Sequence, residues 1–327
     1  MLQERTLKAM DGINKATIKD GVRVKHLFKI MTSHPDIWWQ AYAKLAKNKG
    51  AMTEGVDSST LDGMSQDRID RLIESLKEGS YRPHPVRRTY IPKKNGKRRP
   101  LGIPSANDKL VQEVIRILLE QIYEPVFSDH SHGFRPERSC HSALIEVKRK
   151  WKGIKWIVDV DVSSFYDTID HKRLVAILER KIDDAKFIAL IQLILKAGYL
   201  EDWKFHNTFS GTPQGGICSP ILANIFLNEL DQFIEKKSEE FNRGVKRKRS
   251  LEYGRMEKRL QKKRRQLRFW SERGSFPFFL EETRDKAKEM ETQMKEMPSL
   301  DFHDPDYRRL HYIRYADDFA CGIIGSK

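Results

Sequence analysis

The chain has 327 residues, with 61 Lys and Arg against 46 Asp and Glu, a formal net charge of +15. That length suggests about two domains and leaves ample chain to bury a core, and 16 Phe, 10 Tyr and 6 Trp argue against wholesale disorder. No run approaches the ~18 apolar residues of a membrane span, the N-terminal stretch mixes Glu4, Asp11 and Asp20 with Lys rather than forming an apolar leader, and Cys140, Cys218 and Cys321 are far apart, which argues against a disulfide framework or structural zinc and for a reducing compartment.

A charge this positive favours a polyanionic partner such as nucleic acid. Its distribution is uneven. Between Lys246 and Arg268 there are twelve Lys and Arg and only two acids, Glu252 and Glu257. A second cluster runs from Arg87-Arg88 through Lys93-Lys94-Asn95-Gly96-Lys97-Arg98-Arg99. The long cluster also reads as a solvated helix face, since Glu281 and Glu282 follow; two separate clusters weaken that alternative.

Residues 1–80 read as mostly helical and polar. Pro35 and Asp36 open an amphipathic segment from Ile37 to Leu45, and Asn48-Lys49-Gly50 stops it. Ser65 caps the next helix, with Ile69, Leu72, Ile73 and Leu76 at helical spacing. Val86–Pro92 and Arg98–Ile103 then flank Asn95-Gly96, which predicts a hairpin. A helix follows from about Asn107, with Leu110, Val111, Val114, Ile115 and Leu118 on one stripe. The stretch Ile157–Val162 alternates with period two, predicting a half-buried strand with Val158, Val160 and Val162 on one face and Asp159 and Asp161 on the other. Helices are expected at about 171–181 and 184–197, and Ser219-Pro220 opens another with the stripe Leu222, Ile225, Phe226, Leu230 and Phe233. The basic stretch from about 235 to 295 reads as a helical insertion. His311–Tyr315 and Phe319–Ile324 bracket Ala316-Asp317-Asp318 as a second hairpin. No internal repeat is present.

Two strands thus carry acids. Neighbouring strands lie about 4.8 Å apart, so if these two are adjacent, Asp161 and Asp317 converge on one small volume. Carboxylates so close repel and call for divalent cations; Asp and backbone oxygens suit Mg²⁺, and two ions about 3.5–4 Å apart suit phosphoryl transfer. Asp-Asp at a tight turn is also ordinary turn chemistry, and it is the basic chain and the second acidic strand that favour the metal.

Tyr315-Ala316-Asp317-Asp318 resembles the signature hairpin of reverse transcriptases, and Asp161 to His171 resembles their first catalytic strand and the turn after it. Gly211-Thr-Pro-Gln-Gly-Gly-Ile-Cys-Ser-Pro220 with its continuation to Asp231, Arg99 to Pro104 and Gly133 to Ser139 resemble the blocks of group II intron-encoded reverse transcriptases, or maturases; Asn48 to Asp57 matches that family's N-terminal extension. The resemblance covers about residues 35–327 in the family's order.

It implies an α+β, right-hand polymerase fold, with an antiparallel palm sheet packed with helices. A largely helical N-terminal extension would occupy 1–80, fingers 81–155, and an incomplete palm 156–327. That palm would include fingers-side helices at about 172–210 and the basic insertion at about 235–300. The thumb and later regions would lie outside these residues, making the chain an N-terminal part of low intrinsic activity. Asp161, Asp317 and Asp318 match the catalytic carboxylates; with the carbonyl of Val162 they would hold two Mg²⁺ ions. Asp159 lies two residues before the family's ligand position. Tyr166 matches the aromatic steric gate against a 2′-hydroxyl, although taken without the family it reads equally as a core aromatic. Gln214 resembles the residue near the templating base pair; Lys94 and Arg99 resemble the pair that grips triphosphate oxygens, with Lys93, Lys97 and Arg98 close by.

The implied partners are an RNA template, a DNA primer, dNTPs and the parental intron RNA, in a cytoplasmic bacterial ribonucleoprotein with no membrane role. Exposed fingers helices allow a homodimer. Candidate RNA ligands are Lys246, Arg247, Lys248, Arg249, Lys262, Lys263, Arg264 and Arg265. The cysteines read as small buried thiols, and the ten His show no metal-ligand spacing. The competing readings are a non-catalytic RNA-binding splicing factor that keeps the fold, against which the intact acids speak, and a retron or defence-system relative, which the 211–231 block and the N-terminal extension disfavour.

Overall fold

A computed structural model describes residues 2–19, 21–92, 96, 98–202, 204–208, 210–212, 215–274 and 277–325. The chain divides into two compact units: unit 1 holds 1–144, 160–233 and 313–319, and unit 2 holds 145–159, 234–312 and 320–327. The helices in chain order are α1 (Glu4–Ile18), α2 (Leu27–Ser33), α3 (Pro35–Leu45), α4 (Gln66–Lys77), α5 (Ala106–Tyr123), α6 (Cys140–Lys150), α7 (Phe165–Thr168), α8 (His171–Lys181), α9 (Ala185–Leu195), α10 (Ser219–Phe241), α11 (Leu251–Glu272) and α12 (Pro277–Glu296). The strands are β1 (Val86–Pro92), β2 (Arg98–Ile103), β3 (Trp156–Asp161), β4 (Tyr199–Glu201), β5 (Lys204–His206), β6 (Arg309–Tyr315) and β7 (Asp318–Ile324).

Helix starts follow local chemistry. Ser65 and Ser105 accept the backbone N–H of Arg68 and Asp108 at 3.2 and 3.3 Å, and Asp170 and Asp184 cap α8 and α9 in the same way. In unit 1, α5 is the central element: α1, α2 and α3 pack on it, and its buried set includes Leu110, Val114, Leu118 and Ile122. Each such side chain contributes about 1.5–3 kcal/mol on burial. The charged and amide side chains buried on α5, Asp108, Lys109, Gln112 and Glu113, are partnered, whereas the Tyr123 hydroxyl has no hydrogen-bond partner among the described residues. Glu113 meets Arg116 at 2.9 Å and Lys44 at 3.2 Å, and Lys109 donates to the carbonyls of Gly50 and Thr53. Asp108 accepts from the Tyr81 hydroxyl and the Ser105 hydroxyl. Burial, reinforced by Asp108, holds the Tyr81 phenol well above its ordinary pKa.

A four-stranded sheet has the order β2-β1-β4-β5. The β1–β2 hairpin is antiparallel from Arg87↔Ile103 to Pro92↔Arg98, at the bounds expected from sequence. The three-residue strands β4 and β5 were not expected: β4 pairs parallel to β1 through Val86↔Tyr199 and antiparallel to β5 through Tyr199↔His206.

In unit 2, α11 and α12 pack together, and Arg264 and Glu291 join them at 2.8 Å. A strap after α12 returns to the segment before α11. Asp304 accepts the N–H of Lys248 at 2.7 Å, Asp301 donates its N–H to the Lys248 carbonyl at 2.9 Å, and Arg243 and Arg308 exchange backbone hydrogen bonds.

The remaining sheet has the order β3-β7-β6 and gives residues to both units. The alternating pattern of β3 predicts one buried face, yet Ile157 is 67% and Val158 46% exposed. The strand lies at the sheet edge, and of its six residues only Val160 is half-buried, the rest being exposed. Among the described residues no helix is long and apolar enough to cross a membrane.

Candidate active site

The site begins at the two-residue connection between β6 and β7, which consists of Ala316 and Asp317. Ala316 has φ 57°, a left-handed conformation that costs a non-glycine residue about 1–2 kcal/mol. Its surroundings hold it there. Arg314 is fully buried, as is Asp231 of α10; Nε and Nη2 of the arginine donate to the two Asp231 oxygens at 2.8 and 2.7 Å. Arg314 Nη1 donates to the Ala316 carbonyl at 2.8 Å and to Asn224 Oδ1 at 2.9 Å. Asn224 Nδ2 in turn donates to the Gly133 carbonyl at 2.8 Å. A Cβ on Gly133 would stand 2.3 Å from the Ala316 nitrogen, so only glycine admits this approach. The main chain of Arg314 is also tied to this loop, donating to the His130 carbonyl and accepting from the His132 N–H.

Asp161 ends β3 and Asp318 begins the neighbouring β7, with Asp317 at the tip; Asp161 and Asp318 are exposed, and Asp317 and Val162 are half-buried. Asp159, on the same strand as Asp161, is exposed and is assigned to unit 2. Tyr166 lies on α7, its ring edge-to-face with Phe165 at 5.7 Å. Burial pushes its phenol up to about 12, helped by the charge of Asp317 and opposed by Arg314, so Tyr166 and the hairpin share one electrostatic neighbourhood.

The donor set is hard oxygen alone, which fits Mg²⁺. Among the described residues no group of three or more His, Cys, Asp and Glu is drawn together tightly enough to hold a metal by itself. A shell here would therefore need further oxygens, such as backbone, water or substrate phosphate.

The segment after α7 is fastened to the loop that carries the Gly211 block. Thr212 N–H donates to the Tyr166 carbonyl at 2.7 Å, Gly211 N–H to Ile169, and His171 Nε2 to the Gly211 carbonyl at 2.6 Å. Gly211 has φ 86°, and a Cβ there would meet the Tyr166 carbonyl at 2.6 Å. Beside this loop is a cavity of about 490 Å³ lined by Arg88, Gly102, Asp167, Tyr199 and Thr212. Arg88 lies over the Tyr199 ring at 3.8 Å, and His206 stacks at 4.8 Å. Arg99 projects from β2 as an exposed residue, opposite Ile91 in the hairpin. Lys94 and Gln214 lie outside the described residues.

The sequence profile described as reverse transcriptase (RNA-dependent DNA polymerase) matches residues 91–248. The group II intron-encoded protein LtrA of Lactococcus lactis subsp. cremoris is 48% identical over 297 residues, 90% of this chain and 48% of that protein. This chain belongs to the group II intron-encoded reverse transcriptases and maturases. An uncharacterized 91 kDa protein in the cob intron of Schizosaccharomyces pombe is 42% identical over 305 residues, 92% of this chain and 36% of that one. The chain thus spans about half or less of the length of these curated relatives. A solved partial Cas6-RT-Cas1–Cas2 complex contains a chain that aligns over 90% of this chain and 38% of its own at 16% identity, TM-score 0.45.

In this member of the family the eight basic candidates of unit 2 differ in what they face. Arg247 is buried, donates to the Gly153 carbonyl at 3.2 Å and lies over the Phe302 and Tyr307 rings; its guanidinium serves the interior of the unit. Lys248 pairs with Asp306, Arg249 with Glu257 and Arg264 with Glu291. Lys246, Lys262 and Arg265 are exposed, and Lys263 half-buried, without an ion pair among the described residues. What sequence reading missed is the Arg314–Asp231–Asn224 set behind the hairpin. All three lie inside or next to the quoted blocks, but a pairing 83 residues apart leaves no local trace.

Proposed function

We propose that this chain carries the fingers and palm of an RNA-directed DNA polymerase of a group II intron, and that it also binds its intron RNA to assist splicing and mobility. On this reading residues 1–80 extend the fingers, 81–155 form them, and 156–327 belong to the palm. The observation that carries it is the placing of Asp161 and Asp318 on neighbouring strands, with Asp317 at the tip and Tyr166 in its field.

In the proposed reaction the primer 3′-oxygen attacks the α-phosphorus of a dNTP in line; a new P–O bond forms and the bond to pyrophosphate breaks. Asp161, Asp317, Asp318 and the Val162 carbonyl would hold two Mg²⁺ ions, which when bound neutralise charge on both the attacking and leaving oxygens. Tyr166 closes the space beneath the sugar and rejects a 2′-hydroxyl. Arg99, with Lys94, grips the triphosphate, and Gln214 meets the templating pair.

RNA binding is assigned to unit 2. Its segments hold 28 Lys and Arg against 17 Asp and Glu, a net +11 of the chain's +15. Such a spread of charge suits phosphate and 2′-hydroxyl contacts.

The test is template-directed primer extension with Mg²⁺ and dNTPs by the full-length protein, against its Asp317→Ala/Asp318→Ala form, with intron-RNA affinity measured on both. Synthesis lost in the double variant with RNA affinity retained is the expected result. Tight RNA binding without synthesis in the unaltered protein would replace this reading with a splicing factor that only keeps the fold.

A further inference from the structure

We propose that the buried Arg314–Asp231 pair is a positioning device for the nucleotidyl-transfer site, setting where Asp317 and Asp318 stand through the carbonyl of Ala316. The inference rests on the polymerase reading above.

A fully buried ion pair is costly to desolvate, and an apolar pair of similar volume commonly stabilises a fold as well or better. Packing alone therefore does not account for it. What an apolar pair lacks is directed donors, and Arg314 aims one of its donors at the hairpin. Nε and Nη2 lock onto Asp231, which fixes the plane of the guanidinium. The remaining Nη1 then points at two groups: the Ala316 carbonyl, one residue before Asp317, and Asn224 Oδ1. Asn224 and Asp231 are seven residues apart on α10, two helical turns on one face. Through Asn224 the same network reaches the carbonyl of Gly133, the residue at which an added Cβ would stand 2.3 Å from the Ala316 nitrogen. Arg314 thus holds Ala316 from its carbonyl side, and Gly133 confines it from its nitrogen side. That encirclement keeps a left-handed alanine in place and leaves the acids after it one position to occupy.

The experiment compares the unaltered full-length protein with R314M, the double variant R314M/D231L and R314K. Three properties are read: melting temperature, amide hydrogen exchange of the peptide spanning 313–319, and kcat and KM for single-nucleotide incorporation. R314M should melt lower, because Asp231 is left buried and unpaired, and the double variant should recover. At recovered stability, exchange at the hairpin should still be about tenfold faster. Turnover should fall about 10²-fold with KM for dNTP within about twofold, the signature of displaced groups rather than lost binding. R314K keeps a charge opposite Asp231 but lacks the fork, so it should show the same local loosening even if the double variant does not fold. Hairpin exchange and kcat at unaltered values in R314K, or in a double variant of recovered stability, would overturn the proposal. If the unaltered protein makes no DNA, the polymerase reading fails on its own, and the exchange comparison still decides whether Arg314 sets the hairpin.

Discussion

Gly133 and Ala316 approach so closely that a single methyl group has nowhere to go: the nearest atom to an added Cβ is backbone nitrogen, which cannot rotate aside. Gly133→Ala should therefore destabilise unit 1 by about 1–3 kcal/mol, the usual range for overpacking, and urea unfolding measures it directly. A substitution within about 0.3 kcal/mol of neutral would show that the loop yields. The cysteines give a second check at this scale. Cys140 is exposed, whereas burial pushes the Cys218 thiol up to about 12, so below that pH Cys218 stays protonated and is a poor nucleophile. Iodoacetamide at pH 8 should label Cys140 in the folded protein and reach Cys218 only after denaturation. Mass spectrometry separates the two peptides, and equal labelling in the folded state would contradict the burial.

Among the elements, the strap from Ser299 to Arg308 is held by carboxylate chemistry. The N–H groups of Lys248 and Asp306 hold the Asp304 carboxyl below its usual range, with the Lys248 charge adding to them. A carboxylate with a depressed folded pKa stabilises at full strength above the unfolded value of about 4 and loses that contribution as pH falls below it. Hydrogen exchange over 299–308, corrected for intrinsic rate, should accelerate below about pH 4, and Asp304→Asn should remove that acid dependence. The same contrast between local and distant partners explains what could be read in advance. Strands β1 and β2 and helix α8 were legible to the residue, because turn residues and caps mark them locally. Helix α6 and the short pair β4–β5 were not: three residues carry too little period-two signal, and β4 is a strand by virtue of pairing with β1, more than a hundred residues away. The exposure of β3 was misjudged because alternation tells which residues share a face, and what covers that face is a property of the rest of the fold. At the site, the acids were found by motif, while the guanidinium behind them was hidden by its distance from Asp231 in sequence.

For the whole molecule the dominant property is charge, gathered in unit 2. If the four candidates there without an ion pair among the described residues neutralise phosphates, replacing Lys246, Lys262, Lys263 and Arg265 with Ala should lower the slope of log affinity for intron RNA against log salt by up to about 0.7–0.9 per lost contact. Replacing Arg247 should instead cost stability, since its guanidinium faces Gly153, Phe302 and Tyr307. An unchanged slope in the fourfold variant would return the cluster to an ordinary solvated surface. The edge strand β3 bears on solution behaviour in a different way. Ile157 and Val158 present bare aliphatic surface along a sheet margin, and a margin of that kind is a template for any extended chain that meets it. Concentrated preparations of these 327 residues should therefore self-associate, and sedimentation velocity should show the weight-average mass growing with concentration. Ile157→Lys places a charge on that margin and should return the molecule to a monodisperse species, so colloidal stability here is decided by one strand while the protein as a whole carries abundant repulsive charge.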